Sequence, residues 1–328
     1  MAAQDTDTGP TATAPIPQAA GMSTLHKIIF AVLLVFLIGL PFMVYPVFAM
    51  KVMTFALFAA AFNLLLGFGG LLSFGHAAYF GGASYIAAHA AKVWGLTPEL
   101  AVLSGTAAAA VLGLLIGSLS IRRQGIYFAM VTLAFAQMVY FIALQAPFTG
   151  GEDGIQSVPR GKLFGFISLE NNIALYFFVL TVTFGGILFL YRIVHSPFGQ
   201  VLKAIRENEP RAISLGYNVN RYKLMVFVLS ATFSGLAGAM KSQVFQLASL
   251  TDVHWMMSGE VVLMTLLGGM GTIFGPLVGG AIIVTMQNYL ATFGAWVTVI
   301  QGVIFVIGVL LFREGIIGVI ARWIKRPL

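Results

Sequence analysis

Cysteine is absent from the 328 residues, which excludes disulfide frameworks, thiolate metal sites and cysteine nucleophiles. Charge is scarce as well: Asp, Glu, Lys and Arg make up 9% of the chain against 59% hydrophobic residues, where a soluble domain carries roughly a quarter charged residues. No water-soluble surface can be built from that stock. The GxxxxGK[ST] phosphate loop is missing, since Gly161-Lys162 is followed by Leu163, so the chain is not expected to hydrolyse nucleotide itself. The five histidines, at 26, 76, 89, 195 and 254, show neither HExxH nor any other close ligand spacing, and neither a metal nor a cofactor is expected. No loop is long enough for a soluble catalytic domain, so an enzyme is not expected.

What the chain has instead is apolar sequence in lengths near the roughly 20 residues that cross a bilayer. With charges and turn residues as punctuation, spans are expected at 28–48, 52–66, 71–91, 100–121, 126–146, 172–191 and 224–245, followed by further apolar sequence up to 312. The fold class is all-α: one polytopic membrane domain, 27–328, of about 8–10 transmembrane helices. Residues 1–26 are rich in Ala, Thr, Pro and Gln and lack the basic start and short apolar core of a signal peptide, so a disordered tail is expected there.

The net charge of +7 has a membrane explanation, because cytoplasmic loops collect Lys and Arg; no nucleic-acid partner is expected. Arg122 and Arg123 mark one inside loop. Segment 192–223 holds six basic residues against Glu207 and Glu209, a net +4, and is the largest inside loop, whereas 147–171 carries Glu152, Asp153 and Glu170 against Arg160 and Lys162, a net −1, and belongs outside. The tail from Arg313 is net +3 and also inside. Parity then requires the chain to turn back between Val261 and Leu290, and the turn is expected at Gly268-Gly269-Met270-Gly271-Thr272, ahead of Pro276.

That string echoes an earlier one. Leu65-Leu66-Gly67-Phe68-Gly69-Gly70, then Phe74-Gly75, resembles Leu266-Leu267-Gly268-Gly269-Met270-Gly271, then Phe274-Gly275. Two readings fit: an internal repeat with a transport path where broken helices meet, or glycine that lets helices pack closely, as a ladder of Gly271, Gly275 and Gly279 would. On the first reading Ser73, Gly75, His76, Gly268, Gly269 and Gly271 are candidate path residues; on the second His76 is a hydrogen-bonded packing group. Lys241 can snorkel to the outer interface and Glu260 sits where a span begins, while Asn63, Gln137, Gln287 and Asn288 line a path or bond between helices.

The inside loop has helix grammar. Ser196 can cap a helix with Pro197 at its first position, and Phe198, Val201, Leu202 and Ile205 form an apolar stripe opposite Lys203, Arg206 and Glu207. Pro210 can open a second short helix that Gly216 closes. Two amphipathic cytoplasmic helices suit either membrane lipid headgroups or a soluble partner.

Ala204-Ile205-Arg206-Glu207-Asn208-Glu209-Pro210-Arg211-Ala212 to Gly216, continuing to Ser234-Gly235-Leu236-Ala237-Gly238, resembles the coupling region of branched-chain amino acid permeases from bacterial ATP-binding-cassette importers. Three further stretches are similar to the same hydrophobic amino acid uptake family, its M-type subunit above all: Gly70-Leu71-Leu72-Ser73-Phe74-Gly75-His76-Ala77, Gly150-Gly151-Glu152-Asp153-Gly154, and 267–276. The resemblance implies a multi-pass subunit of the bacterial inner membrane that pairs with a second, homologous permease and two cytoplasmic ATP-binding subunits and receives substrate from a periplasmic binding protein. It implies that Ala204, Arg206, Glu207, Glu209, Arg211 and Gly216 belong to an ATPase-docking loop, and that Glu152 and Asp153 meet the binding protein. Glu209-Pro210-Arg211-Ala212 departs from the Glu-Ala-Ala pattern of many importers, which leaves the register of that contact open. Urea, aromatic acids or other amino acids are alternative cargoes. An ion-coupled carrier or intramembrane enzyme would need buried carboxylates or paired catalytic groups at matching depth.

Overall fold

The computed structural model describes residues 24–294, 296–311 and 315–324. The expected N-terminal tail up to residue 23, Arg313 and the chain beyond Ile324 lie outside the described residues. Among the described residues, six helices are long and apolar enough to cross a membrane. They are α1 (Thr24–Gly39, prolonged by a 3-10 turn Leu40–Phe42), α2 (Pro46–Asn63, prolonged by a π turn Leu64–Phe68), α4 (Pro98–Ser120), α5 (Ile126–Gln145), α6 (Asn172–His195) and α9 (Val219–Phe245). Shorter helices stand among them: α3 (His76–Lys92), α11 (Trp255–Gly268), α12 (Gly275–Leu290) and α13 (Trp296–Leu311). The 192–223 segment forms α7 (Pro197–Glu207) and α8 (Glu209–Ser214); α10 (Leu250–Val253) and α14 (Gly315–Ile324) complete the helices among the described residues.

The first expected span, 28–48, is two helices. Pro46 sits at the first position of α2, where its missing N–H costs nothing and its fixed φ suits a helix start. Lys51 therefore lies inside α2 rather than between spans. The third expected span starts late: Leu71–Gly75 is non-helical and α3 begins at His76.

Apolar side chains gain little by leaving lipid for other apolar side chains, so helices in a bilayer are held by close backbone approach and hydrogen bonds. The core trio α3, α4 and α9 is built that way. A Cβ on Gly238 of α9 would lie 1.9 Å from the Phe80 carbonyl oxygen of α3, one on Gly235 2.1 Å from the Ala109 methyl of α4, and one on Gly105 of α4 2.5 Å from the Ala83 carbonyl oxygen of α3. Around this trio α2 packs on α9, α6 and α12, with Phe58 against Phe80 at 4.5 Å between ring centres. Helix α5 is more peripheral, and Ile126, Tyr127, Met130, Met138, Phe141 and Ile142 stay exposed along it, as lipid-facing residues do.

The turn demanded by charge parity is present. Helices α11 and α12 run antiparallel, with Gly268 against Gly275 and Met264 against Gly279. Gly275 and Gly279 pack as the glycine ladder requires, but Gly271, at φ +78 in the turn, is outside it. The two glycine strings each join antiparallel helices, but not alike: α11 and α12 pack backbone to backbone, whereas α2 and α3 meet through facing rings, Phe58 on Phe80 and Phe62 on His76.

At the end of the bundle opposite α7 and α8 the 147–171 loop is tied down. Strand β1 (Ile155–Gln156) pairs antiparallel with β4 (Leu247–Ala248), and β2 (Lys162–Leu163) with β3 (Ile167–Ser168). Arg160 donates to Asn172 Oδ1 at 2.8 Å and to the Val244 carbonyl at 2.9 Å. The Lys92 ammonium donates to the Gln156 carbonyl at 2.7 Å. Lys241 does not snorkel: it forms a buried ion pair with Asp252 at 2.6 Å, and Asp252 also caps α10 through Ser249.

Candidate functional site

At the end of the bundle that carries α7 the two glycine breaks meet each other. Asn63, the last α-helical residue of α2, donates through Nδ2 to the Thr272 carbonyl at 2.8 Å and accepts at Oδ1 from the Gly271 N–H at 2.9 Å. One side-chain amide thus satisfies the backbone of a turn that has lost its own helical partners. Gly67 has no room for a side chain, because a Cβ would lie 2.6 Å from the Gly271 nitrogen. Gly315, at the start of α14, closes on the same turn, with a Cβ position 2.3 Å from Gly269 Cα.

Helix α7 reaches into this junction. Ser196 Oγ accepts from the Gly199 N–H at its start, and Leu202 and Ile205 are buried beneath it. The expected apolar stripe thus packs against the chain's own bundle, with Phe198 stacked on Tyr222 at 5.6 Å. From the flank of α7, Arg206 donates to the Gly67 carbonyl, and its stem covers Gly70, whose Cβ position lies 3.0 Å from Arg206 Cγ. Lys203 holds its ammonium 5.6 Å from the centre of the Phe68 ring, and burial pulls its pKa below the ordinary lysine value. Both cations sit at the C-terminal end of α2 and its π turn, where unpaired carbonyls leave partial negative charge.

Helix α8 is seated separately. Asn208 Oδ1 caps it by accepting from the Arg211 N–H at 3.1 Å, and Gly216, at φ +87, ends it, followed by Tyr217 N–H donating back to the Ala212 carbonyl. Glu209, expected as a free charge for a partner, is taken by this chain: it pairs with Lys223 at 2.8 Å and accepts from Gln124 at 3.3 Å. The Gln124 bond also sets the Arg122-Arg123 loop and the α7–α8 segment at the same end of the bundle. The open surface consists of Ala204, Glu207, Pro210, Arg211 and Gly216 with the apolar Ile213 and Leu215.

Ser73, Gly75 and His76 are brought together above the first break, separate from the junction of Gly268, Gly269 and Gly271. Ser73 Oγ accepts from the Gly75 N–H, Thr132 Oγ1 from the Phe74 N–H and Ser258 Oγ from the Ala77 N–H, so borrowed hydroxyls serve the donors at the start of α3. His76 is fully buried among Phe62, Tyr79 and Phe227 and bonds through Nε2 to Ser230 Oγ at 2.8 Å. Ser230 in turn donates to the Ala61 carbonyl, which assigns the His76 proton to Nε2. Glu152 and Asp153 are exposed on a 3-10 turn of the 147–171 loop between Gly150 and Gly154, both glycines at positive φ. Sequence reasoning left Asn63 between two uses and missed Arg206 as an internal contact; the signal was one long cation on a helix flank within reach of two glycine strings.

Residues 46–309 match the family described as branched-chain amino acid transport system / permease component. The chain is 26% identical to the high-affinity branched-chain amino acid transport system permease protein LivM of Escherichia coli (strain K12), over 92% of this chain and 77% of that protein. The LivM of Salmonella typhimurium is similar to the same extent. The ribose import permease protein RbsC of Bacillus subtilis (strain 168) is 30% identical over 55% of this chain and 58% of its own length. No solved structure matches.

Proposed function

Given that the chain belongs to the branched-chain amino acid transport system permease family, we propose that it is the M-type permease subunit of an ATP-binding-cassette importer that carries branched-chain and other hydrophobic amino acids across the bacterial inner membrane. The likeness to LivM over 92% of the chain supports this cargo above the sugar in the name of RbsC, which spans 55%. In this reading the chain forms part of the path beside a second, homologous permease, two cytoplasmic subunits hydrolyse ATP, and a periplasmic protein delivers substrate to the outer loop at Glu152 and Asp153.

The observation that carries the reading is the contact of Arg206 with the Gly67 carbonyl, at the point where Asn63 joins the two broken helices. An ATPase subunit holding the open face of α7 and α8, through Ala204, Glu207, Arg211, Ile213 and Leu215, pulls on a short helix whose arginine ends in the α2 break. Movement of the docked loop then changes the geometry of both breaks at once, and access alternates around them. Glu209 and Gly216 shape α8 for that contact; Glu209 does so from inside, by pairing with Lys223.

The test is ATP-driven uptake of labelled leucine by the assembled importer. Deleting 210–216, or making Glu209→Lys, is expected to abolish uptake while the subunit still inserts and still assembles with the second permease. Uptake at the wild-type rate after the deletion would refute the docking role.

A further inference from the structure

Beside the α2 break, at the end of the bundle that carries α7, a groove of about 460 Å³ runs between the non-helical segment 70–74 and the first two turns of α5. That volume is within the roughly 300–1,000 Å³ of small-molecule sites. Its lining side chains are all apolar: Leu71, Leu72 and Phe74 form one wall, and Ile126, Met130 and Leu133 line the other. Leu72, Ile126 and Met130 are exposed, so the groove opens at the surface of the bundle.

The second wall suits a chain-shaped ligand. Ile126, Met130 and Leu133 stand at i, i+4 and i+7 on one face of α5, and they span about 10 Å at 1.5 Å per residue. Because α5 is one of the membrane-length helices, this stripe runs into hydrocarbon. Two cations stand at its mouth. Arg122 and Arg123 are exposed and shortly precede Gly125, which itself lines the groove. Among the described residues neither guanidinium makes an ion pair or a hydrogen bond; the ion pairs there belong to Lys223 and Lys241. Glu209, which Gln124 bonds, is already taken by Lys223. Tyr127 is exposed next to the groove, as aromatic residues are where a helix enters a bilayer.

We propose that this groove is a binding site for one anionic phospholipid. Its phosphate is held by Arg122 and Arg123, whose planar forks match phosphate oxygens, and one acyl chain lies along Ile126, Met130 and Leu133 against Leu71, Leu72 and Phe74. Free phosphate would answer the arginines and leave the apolar walls bare. A soluble subunit could reach the arginines but not Leu133, two turns inside the span. Gly70, whose Cβ position lies 3.0 Å from Arg206 Cγ, also lines the groove, so the lipid borders the α2 break.

Since the chain has no cysteine of its own, Met130→Cys places a single thiol in the groove, and Met138→Cys places one on the exposed part of α5 two turns further on. Each is labelled with bimane in the full importer, assembled with partner subunits stripped of cysteine, and titrated in nanodiscs with lipids brominated on the acyl chain. At Met130→Cys, half-maximal quenching is expected at a mole fraction of brominated phosphatidylglycerol about 30-fold lower than of brominated phosphatidylcholine, the scale for two arginines at an anionic headgroup. At Met138→Cys the two lipids are expected to quench alike. Arg122→Gln with Arg123→Gln should remove the preference at Met130→Cys, and Arg122→Lys with Arg123→Lys, which keeps the charge, should retain most of it. Equal quenching by both lipids at Met130→Cys, or a preference that survives the glutamine pair, would overturn the site. No quenching there by either lipid would overturn it too, and would give the groove to another subunit.

Discussion

Asn63→Ala cuts a side-chain bridge between the two glycine breaks. The asparagine makes two hydrogen bonds to backbone groups of the 269–274 turn, at 2.8 and 2.9 Å. Leaving a buried donor or acceptor unpaired costs about 1–3 kcal/mol each. Both bonds are part-buried, so water recovers some of that loss, and a total of about 2–4 kcal/mol is expected. The loss falls on local opening of the turn rather than on insertion, because the helix contacts of α11 with α12 through Gly268, Gly275 and Gly279 are untouched. At 1.36 kcal/mol per factor of ten, backbone amides of the turn should exchange with deuterium about 30- to 900-fold faster. Exchange read by mass spectrometry on a peptide covering 267–276 measures this, with a peptide from α4 as the internal reference. Unchanged exchange at the turn would refute the bridge, and equal acceleration in α4 would mean that the substitution loosens the whole bundle.

Three other perturbations have stated outcomes. Asp252→Asn strands the Lys241 ammonium among buried groups, so thermal unfolding in detergent should reveal a loss of about 3–5 kcal/mol, recovered by the added change Lys241→Met. Gly238→Ala drives a methyl into the Phe80 carbonyl of α3 and should cost about 1–3 kcal/mol; an unaltered melting temperature would contradict the packing described. Burial lowers the pKa of Lys203 from 10.5, so the folded chain sheds that proton before the unfolded chain does. Stability should therefore rise with pH between the lowered value and 10.5, and Lys203→Met should flatten that rise in a series of alkaline melts.

Much of the architecture is legible in the residues because lipid enforces simple rules. Span lengths located α4 to within a few residues and the start of α5 at Ile126, and the loop charges predicted a turn that Gly268 to Phe274 makes. The start of α2 was misread because Lys51 served as punctuation, while Pro46 carried the true boundary. The delayed start of α3 at His76 depends on hydroxyls from Thr132 and Ser258, which no local pattern reveals. The cap at Ser196, the second helix at Pro210 and its end at Gly216 were readable in the 192–223 loop, whereas the Asn208 cap was not read there. That Glu209 turns inward to Lys223 and Arg206 to Gly67 depends on contacts across long sequence separations.

The central claim is that force from the cytoplasm reaches the broken helices through Arg206. The direct measurement is the number of leucine molecules imported per ATP hydrolysed by the reconstituted importer carrying Arg206→Gln. With the open face of α7 and α8 intact, ATP hydrolysis should stay within about twofold of wild type. Import should fall roughly 10- to 100-fold, the scale of one lost charged hydrogen bond. Import and hydrolysis that keep their wild-type ratio would contradict the account.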